Sequence, residues 1–369
     1  MFIVFFILIL VVLIIVHEFG HFIVAKLFRI RVDEFGIFFP PKLFGKKFGE
    51  TEYTFNLLPL GGFVRIFGEN YDEGHGVARS FVSKPRYIQA AVIVAGILFN
   101  LIFAWFVLSA GYMAGLPTPV DHIGYGQVQN VQVLVTSILP GSPADKAGIA
   151  AGDQILQVQT ATNTLTVATS PTPQSTSEAD TVTTFITSHV NDSVGLTVLR
   201  DGQQKLFLVR AADGVVMGRK AIGVELDDVG TLKLNPIAAL GEGALLGWNI
   251  TESTASGLLG FFKQIFTATA NFNEVSGPIG ITVYGAAAIK QGFAAAAVLT
   301  ALISINLALI NIVPIPGLDG GRLLIIIIEA IIRRPVNPTI VMRLTLAGFA
   351  LLITLMIVVS YHDIAKLVG

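Results

Sequence analysis

The chain lacks cysteine altogether and is poor in charged residues. Without cysteine it can form no disulfides and offers no thiolate ligands, so any metal site must use His, Asp, Glu or Asn. Charged residues make up 13% of the 369 positions, whereas a soluble domain carries roughly 25%. The net charge of −1 gives no reason to expect nucleic acid as a partner. A hydrophobic content of 53% instead predicts a polytopic α-helical membrane protein in a lipid bilayer.

Four apolar segments come close to the ~20 residues that a helix needs to span a bilayer. The first three predicted spans lie in residues 1–27, 90–116 and 293–321. Residues 322–369 are predicted to form an amphipathic helix followed by the fourth span. The first segment is preceded by no basic residue and followed by no small-residue cleavage site. We therefore expect it to be a membrane helix rather than a cleaved signal peptide.

Arginine and lysine are concentrated in residues 28–89 and in the stretch after the third span. The positive-inside rule assigns such regions to the cytoplasm. Both termini and the long 117–290 region are then expected outside the cytoplasm, in a multi-pass protein of the inner (plasma) membrane. In this arrangement the C-terminal end of the first span lies toward the cytoplasmic side.

The first span contains an unusual group of residues, His17-Glu18-Phe19-Gly20-His21. Histidines at i and i+4 lie on one helix face about one turn apart, a spacing that suits a single Zn²⁺. Glu18 is placed to take a proton from a metal-bound water. A chance match is the alternative, but polar side chains at membrane depth are costly and are functional candidates by default.

A catalytic zinc usually has three protein ligands, and the third is expected in the segment Asn311–Arg322. Pro314 and Pro316 must break the apolar helix that precedes them. Irregular backbone at membrane depth is tolerated only where protein buries it or where it lines a wet cavity. Asp319 lies on this broken stretch, at the membrane depth that is also expected for the two histidines. The alternative is that Asp319 only caps the helix that follows.

Two further segments have both a structural and a functional interpretation. Residues 52–68 are rich in aromatic and β-branched residues and predict a membrane-associated β-hairpin. Its apolar edge could pair with an extended substrate, or the hairpin could be purely structural. In the second span, Gly96 and Asn100 at i and i+4 favour close helix packing, or they could orient the active site.

Residues 126–230 predict an inserted α+β domain outside the cytoplasm. The signature Ser142–Ile155 resembles that of bacterial PDZ domains, in a circularly permuted order. The strand that would line the peptide-carboxylate loop is then Ile222, Gly223 and Val224. Such a domain binds peptides by strand addition, or it could act only as a steric cap over the membrane site. Residues 231–292 predict helices on the outer membrane surface.

With these residues in place, the chain resembles the site-2 proteases, which are intramembrane zinc metalloproteases, and among them the bacterial regulator-of-sigma-E type. The resemblance covers nearly the whole chain through five segments: His17–His21, Pro59–Val64, Ser142–Ile155, Ser276–Gly280 and Asn311–Arg322. One PDZ-like domain is present, whereas some members of the family carry two.

The resemblance implies proteolysis of a single-span membrane protein, such as an anti-sigma factor or a signal-peptide remnant, often after a first protease has trimmed it. Zn²⁺ is the implied cofactor, with His17, His21 and Asp319 as ligands and Glu18 as the catalytic base. Substrate contacts are implied for Asn311, Gly61, Gly62, Phe63 and Val64, and a peptide ligand for the PDZ-like domain.

Two other functions compete with this interpretation. A catalytically silent scaffold that binds partners through its PDZ domain would have no reason to keep all four polar residues of the site. A metal transporter usually shows repeats and several polar membrane helices, and neither is evident in the sequence.

Overall fold

In the part of the chain that the structure describes, four helices are long and apolar enough to cross a membrane, as the sequence predicts. They are α1 (Phe2–Leu27), α2 (Arg86–Ala114), α7 (Phe293–Ile312) and α9 (Pro338–Val368). Helix α2 begins a few residues before the predicted span because Arg86 and Gln89, which bond to one another at 2.9 Å, extend its polar start. Helix α9 begins with proline, which suits the first position of a helix.

The computed structural model describes residues 2–69, 74–170, 177–200, 202–216, 219–267, 269 and 277–368. The chain divides into two units. One comprises Met1–Ala110 with Gly243–Gly369, and the other, Gly111–Glu242, is inserted between them. Ser276 of the predicted Ser276–Gly280 motif lies outside the described residues.

Among its described residues, the first unit also contains three helices that are not candidate spans, and its helices share apolar contacts. These helices are α5 (Pro236–Phe266, from Gly243 onward), α6 (Pro278–Gln291) and α8 (Asp319–Ile332). Ala104 and Leu108 of α2 are buried against Ala301 and Ile305 of α7. The predicted surface helices of 231–292 correspond to α5 and α6, and their side of the membrane stays a prediction.

A β-sheet in the first unit is larger than the predicted hairpin of 52–68. Strand β1 (Val32–Phe48) pairs with β2 (Thr51–Ile66), so the sheet begins twenty residues earlier than expected. Residues 34–37 of β1 have partners on both sides, in 62–65 and in 52–55. After Phe39 the chain turns at two prolines, and Lys42–Phe48 pairs with 51–56. Strand β1 is absent from the sequence-based prediction because these prolines lack the amide hydrogens that a strand donates.

The second unit is built around one seven-stranded sheet. Its strands run in the order β3-β11-β4-β5-β7-β8, with β6 paired to β5. Helices α3 and α4 accompany the sheet, and β9 and β10 form a separate hairpin. The bounds are β3 (Leu116–Pro119), β4 (Gln129–Ile138), α3 (Pro143–Ala147), β5 (Gln154–Gln159), β6 (Thr164–Thr166), α4 (Glu178–Ser188), β7 (Ser193–Arg200), β8 (Gln203–Arg210), β9 (Ala212–Val216), β10 (Arg219–Ala221) and β11 (Val224–Leu232).

The Ser142–Ile155 signature forms a tight turn, a one-turn helix and a strand. Ser142 caps α3 by accepting a hydrogen bond from the amide of Asp145. Gly148 ends the helix with φ of 85°, a conformation that favours glycine. The buried side chains of β5 and α4, including Ile155 and Val182, then pack into the core of the unit.

Candidate metal centre

His17, His21 and Asp319 present three ligand atoms to one point. The Nε2 atoms of His17 and His21 are 3.2 Å apart, and the Oδ2 atom of Asp319 lies 3.0 and 3.2 Å from them. Both histidines are more than nine-tenths buried. Among the residues that the structure describes, this is the one group of three His, Asp or Glu side chains close enough to share a metal ion.

Asp319 reaches the histidines because α7 stops inside the apolar region. The helix ends at Ile312, and Val313, which precedes Pro314, is extended with φ −62° and ψ 134°. Helix α8 then begins at Asp319 itself. Gly320 follows so closely on the broken segment that a Cβ atom there would collide with the carbonyl oxygens of Ile312 and Val313. A glycine is required to bring the carboxylate into place.

The hydrogen bonds behind the histidines leave their Nε2 lone pairs available. The Nδ1 atom of His21 lies 2.8 Å from the carbonyl oxygen of Val92, which can only accept. His21 therefore carries its proton on Nδ1, and in the neutral ring Nε2 is a ligand. The sequence could not indicate Val92, because its contribution is a backbone atom.

His17 is held by Asn100, which the sequence singled out for packing or orientation. The side-chain amide of Asn100 lies 3.2 Å from the Nδ1 atom of His17, and its Oδ1 atom is buried without a hydrogen bond. Turning the amide by 180° would let Oδ1 accept from Nδ1–H, which satisfies both groups and frees Nε2 for a metal. Ser304 of α7 donates to the carbonyl oxygen of Asn100 at 2.8 Å.

Gly96 provides the space that the two imidazole rings occupy. A Cβ atom at this position would collide with the Nε2 atom of His21 and lie 2.9 Å from the Cε1 atom of His17. Gly96 and Asn100 thus face the histidines from successive turns of α2.

The residues present fit a zinc ion. Three electron-rich atoms about 3 Å apart, one of them a buried carboxylate oxygen without a hydrogen bond, repel each other unless a cation lies between them. Tetrahedral ligands at about 2.0–2.1 Å from zinc are separated by about 3.3 Å, close to the spacing here. Two imidazoles and one carboxylate also match the ligand types of catalytic zinc, with room for a fourth position.

Glu18 lies between the metal ligands and the sheet. A Cβ atom at Gly62 would be 3.3 Å from the Cγ atom of Glu18 and from Ile14. In the described part of the chain, residues 62–66 pair with β1 alone, so their other edge is free on this side.

The other predicted site residues are placed as follows. Gly61, Phe63 and Val64 lie on β2 with Gly62, and the Phe63 ring stacks on Phe39 at 6.3 Å. Asn311 is buried near the end of α7. Ile222, Gly223 and Val224 belong to the second unit, where Gly223 has φ of 83° and its carbonyl oxygen accepts from Ser142 at 3.5 Å.

Comparison with known proteins shows the family of the chain. The sequence profile described as peptidase family M50 matches residues 5–355. The chain belongs to peptidase family M50. A protein of Clostridium perfringens, provisionally named a zinc metalloprotease, is 33% identical over 99% of this chain and 98% of its own length. One from Synechocystis with the same kind of name is 33% identical over 97% of this chain and 93% of its own.

The prediction of a zinc metalloprotease of the site-2 protease family is confirmed by M50 membership and by the names of these relatives.

Proposed function

We propose that this M50 peptidase is an intramembrane zinc metalloprotease that cleaves a single-span membrane protein in or near its transmembrane segment. The observation that carries the proposal is the convergence of three ligand atoms: those of His17 and His21 within candidate span α1, and that of Asp319 a few residues after candidate span α7. Membrane-spanning substrates are the ones that can reach such a site from within the bilayer.

His17, His21 and Asp319 would hold the zinc ion. When bound, zinc acts as a Lewis acid that lowers the pKa of water and polarises a carbonyl group. Glu18 accepts the proton of the attacking water and delivers it to the nitrogen of the leaving amine, so that one water is consumed for each peptide bond broken. Val92 and Asn100 keep both imidazoles in the ligand tautomer throughout.

The free edge of β2 would hold the substrate. A transmembrane helix hides its peptide bonds behind internal hydrogen bonds, so it must unwind before it is cut. An extended segment can replace those bonds by pairing with a strand edge. Gly61, Gly62, Phe63 and Val64 would form this edge, and Asn311 would hold the substrate near the metal.

The second unit is proposed to be a PDZ-like domain with Ile222, Gly223 and Val224 at its peptide loop. Its support is the left-handed glycine before β11 and the Ser142 signature.

Both termini and this unit are proposed to lie outside the cytoplasm, supported by the positions of Lys and Arg. Single cysteines introduced at Asn191 and Lys47 of this cysteine-free chain should react with an impermeant thiol reagent from opposite sides of the membrane. Labelling of both from one side contradicts this topology.

Glu18→Gln tests the protease proposal directly. In proteoliposomes with a fluorescent single-span substrate, we expect kcat to fall by about 10²–10⁴-fold while zinc per chain is unchanged. Glu252→Gln, which alters an exposed carboxylate on α5, is the matched control and should cleave normally. Full activity of the zinc-loaded Glu18→Gln chain would exclude the mechanism, and absence of cleavage by the wild-type chain would favour the scaffold alternative.

A further inference from the structure

The first turn of α8 carries a second polar side chain that the proposed chemistry does not use. Arg322 follows Asp319 by three residues, so the two side chains lie on the same side of the helix. The Nη2 atom of Arg322 contacts the Oε1 atom of Glu69, which lies three residues after β2 ends. This ion pair joins the helix that bears the third ligand to the strand that borders the site.

The strand that ends near Glu69 is the one with the free edge. Gly62, where the free-edged segment 62–66 of this strand begins, lies against Glu18 and Ile14 of α1. Its far end is fixed to α8 by the ion pair between Glu69 and Arg322. Phe63 and Val64 lie between these two fixed points, and they belong to the segment that would align a substrate.

Arg322 lies one turn from Asp319 and carries a charge opposite to that of the Glu18 carboxylate. A guanidinium without another partner would be drawn toward Glu18, because opposite charges attract strongly where water is scarce. A direct ion pair there would occupy the lone pairs with which Glu18 accepts a proton. Glu69 supplies a competing carboxylate that holds the Arg322 guanidinium toward the sheet.

A second ion pair on α8 provides an internal comparison. Glu329 lies two turns after Arg322 and bonds to Arg86 at 2.8 Å, at the start of α2. That pair joins helix to helix, whereas the first joins helix to sheet. Of these two pairs, only the first joins α8 to the segment that follows the strand edge.

We propose that Glu69 and Arg322 are positioning residues for the substrate, because their ion pair holds the free edge of β2 level with the metal ligands. The inference rests on the proposed protease function. A displacement of about 1 Å at a group that aligns a substrate costs up to about a hundredfold in rate. Neither residue contacts a metal ligand atom in this arrangement, so zinc binding should be independent of the pair.

The test measures substrate affinity in full-length chains that all carry Glu18→Gln, so that no cleavage occurs. A fluorescent single-span substrate is titrated in detergent micelles, and Kd, zinc per chain and the midpoint of thermal unfolding are recorded. We expect Glu69→Arg and Arg322→Glu each to weaken binding about tenfold with zinc retained. The double charge reversal should restore Kd to within about threefold, and Arg322→Lys should retain most of the affinity.

Lys42→Glu is the matched control, because Lys42 pairs with Glu52 inside the sheet and does not reach α8. It should leave Kd unchanged. If a charge-reversed chain does not fold, Glu69→Gln and Arg322→Gln replace it with the same expected loss. Unchanged Kd in the single variants, a double reversal no better than either single, or loss of zinc would each overturn the proposal. Failure of the wild-type chain to cleave this substrate would instead contradict the protease function and leave the affinity result standing.

Discussion

The two halves of α1 are both strongly apolar, yet the structure uses them in opposite ways. In the first half, Phe6 is the one buried residue among Phe2–Val12, and most of the others are exposed on the helix surface. In the second half, Leu13, His17, Gly20, His21 and Ala25 form a buried stripe at helical spacing. One helix therefore presents a lipid-facing half and a protein-facing half within a single span.

Hydrophobicity does not distinguish these halves, because lipid tails are as apolar as leucine side chains. Small and polar residues mark the contact instead. Gly20, His17 and His21 on α1 meet Gly96 and Asn100 on α2. The candidate metal site thus lies where the two helices are in close contact, and substitutions at this contact should affect it more than substitutions elsewhere on α1.

The largest expected effect comes from adding one methyl group at the close contact. Gly96→Ala would drive a Cβ atom into the His21 ring, and the rings cannot retreat because Val92 and Asn100 hold them. We expect zinc per chain to fall well below one and cleavage to drop by more than about a hundredfold.

Two controls sharpen this comparison. Gly257→Ala adds the same methyl group on α5, where nothing lies within 4 Å. Ile7→Ala alters an exposed residue in the first half of α1. Both should bind zinc and cleave normally. If Gly96→Ala also behaves like these controls, the close contact does not govern the site.

A smaller loss is expected from removing the partner of His17. Asn100→Ala leaves the Nδ1 atom of His17 without its side-chain partner, so the ring can rotate and change tautomer. Zinc affinity, measured by competition with a chelator, should fall about 10–100-fold. Asn306→Ala is the matched control, because the Asn306 amide bonds only within α7 among the contacts described. Equal affinities for both variants would remove Asn100 from the site.

The smallest effect concerns the acid sensitivity of the C-terminal end of α1. Glu50 accepts hydrogen bonds from Arg79 at 2.7 Å and from Lys26 of α1 at 2.6 Å. These partners hold the pKa of Glu50 at about 2, below its usual 4.5. Because the folded-state pKa is lowered, the stabilisation is complete above about pH 4.5 and is lost as the pH falls toward 2.

Glu50→Gln should lower the free energy of unfolding at pH 7 by about 1 kcal/mol or less, because the ion pairs are partly exposed. The measurement is the midpoint of thermal unfolding between pH 7 and pH 3. The wild-type midpoint should fall more steeply with acid than that of Glu50→Gln, while Glu252→Gln follows the wild type. Parallel curves for all three chains would show that Glu50 does not anchor this end of α1.

The sequence was sufficient to predict the parts of the site that rest on local patterns. The i, i+4 histidines follow from helix geometry, and Asp319 follows from the prolines that stop α7. Strand β1 was missed because Pro40 and Pro41 interrupt it and its second half, Lys42–Phe48, is exposed on both faces. The pair between Glu69 and Arg322 was missed because the two residues are distant in sequence, and no periodicity relates a strand end to a helix start.

The distance along the sequence between Asp319 and the two histidines has a consequence for biosynthesis. Nearly three hundred residues must be translated after His21 before the carboxylate exists. At about 5–20 residues per second, this takes about 15–60 s. During that interval the first span already resides in the membrane with two of the proposed ligands and the proposed base, but it cannot assemble the complete proposed centre. The nascent chain is therefore kept from cutting its neighbours in the membrane until α7 and α8 have been made.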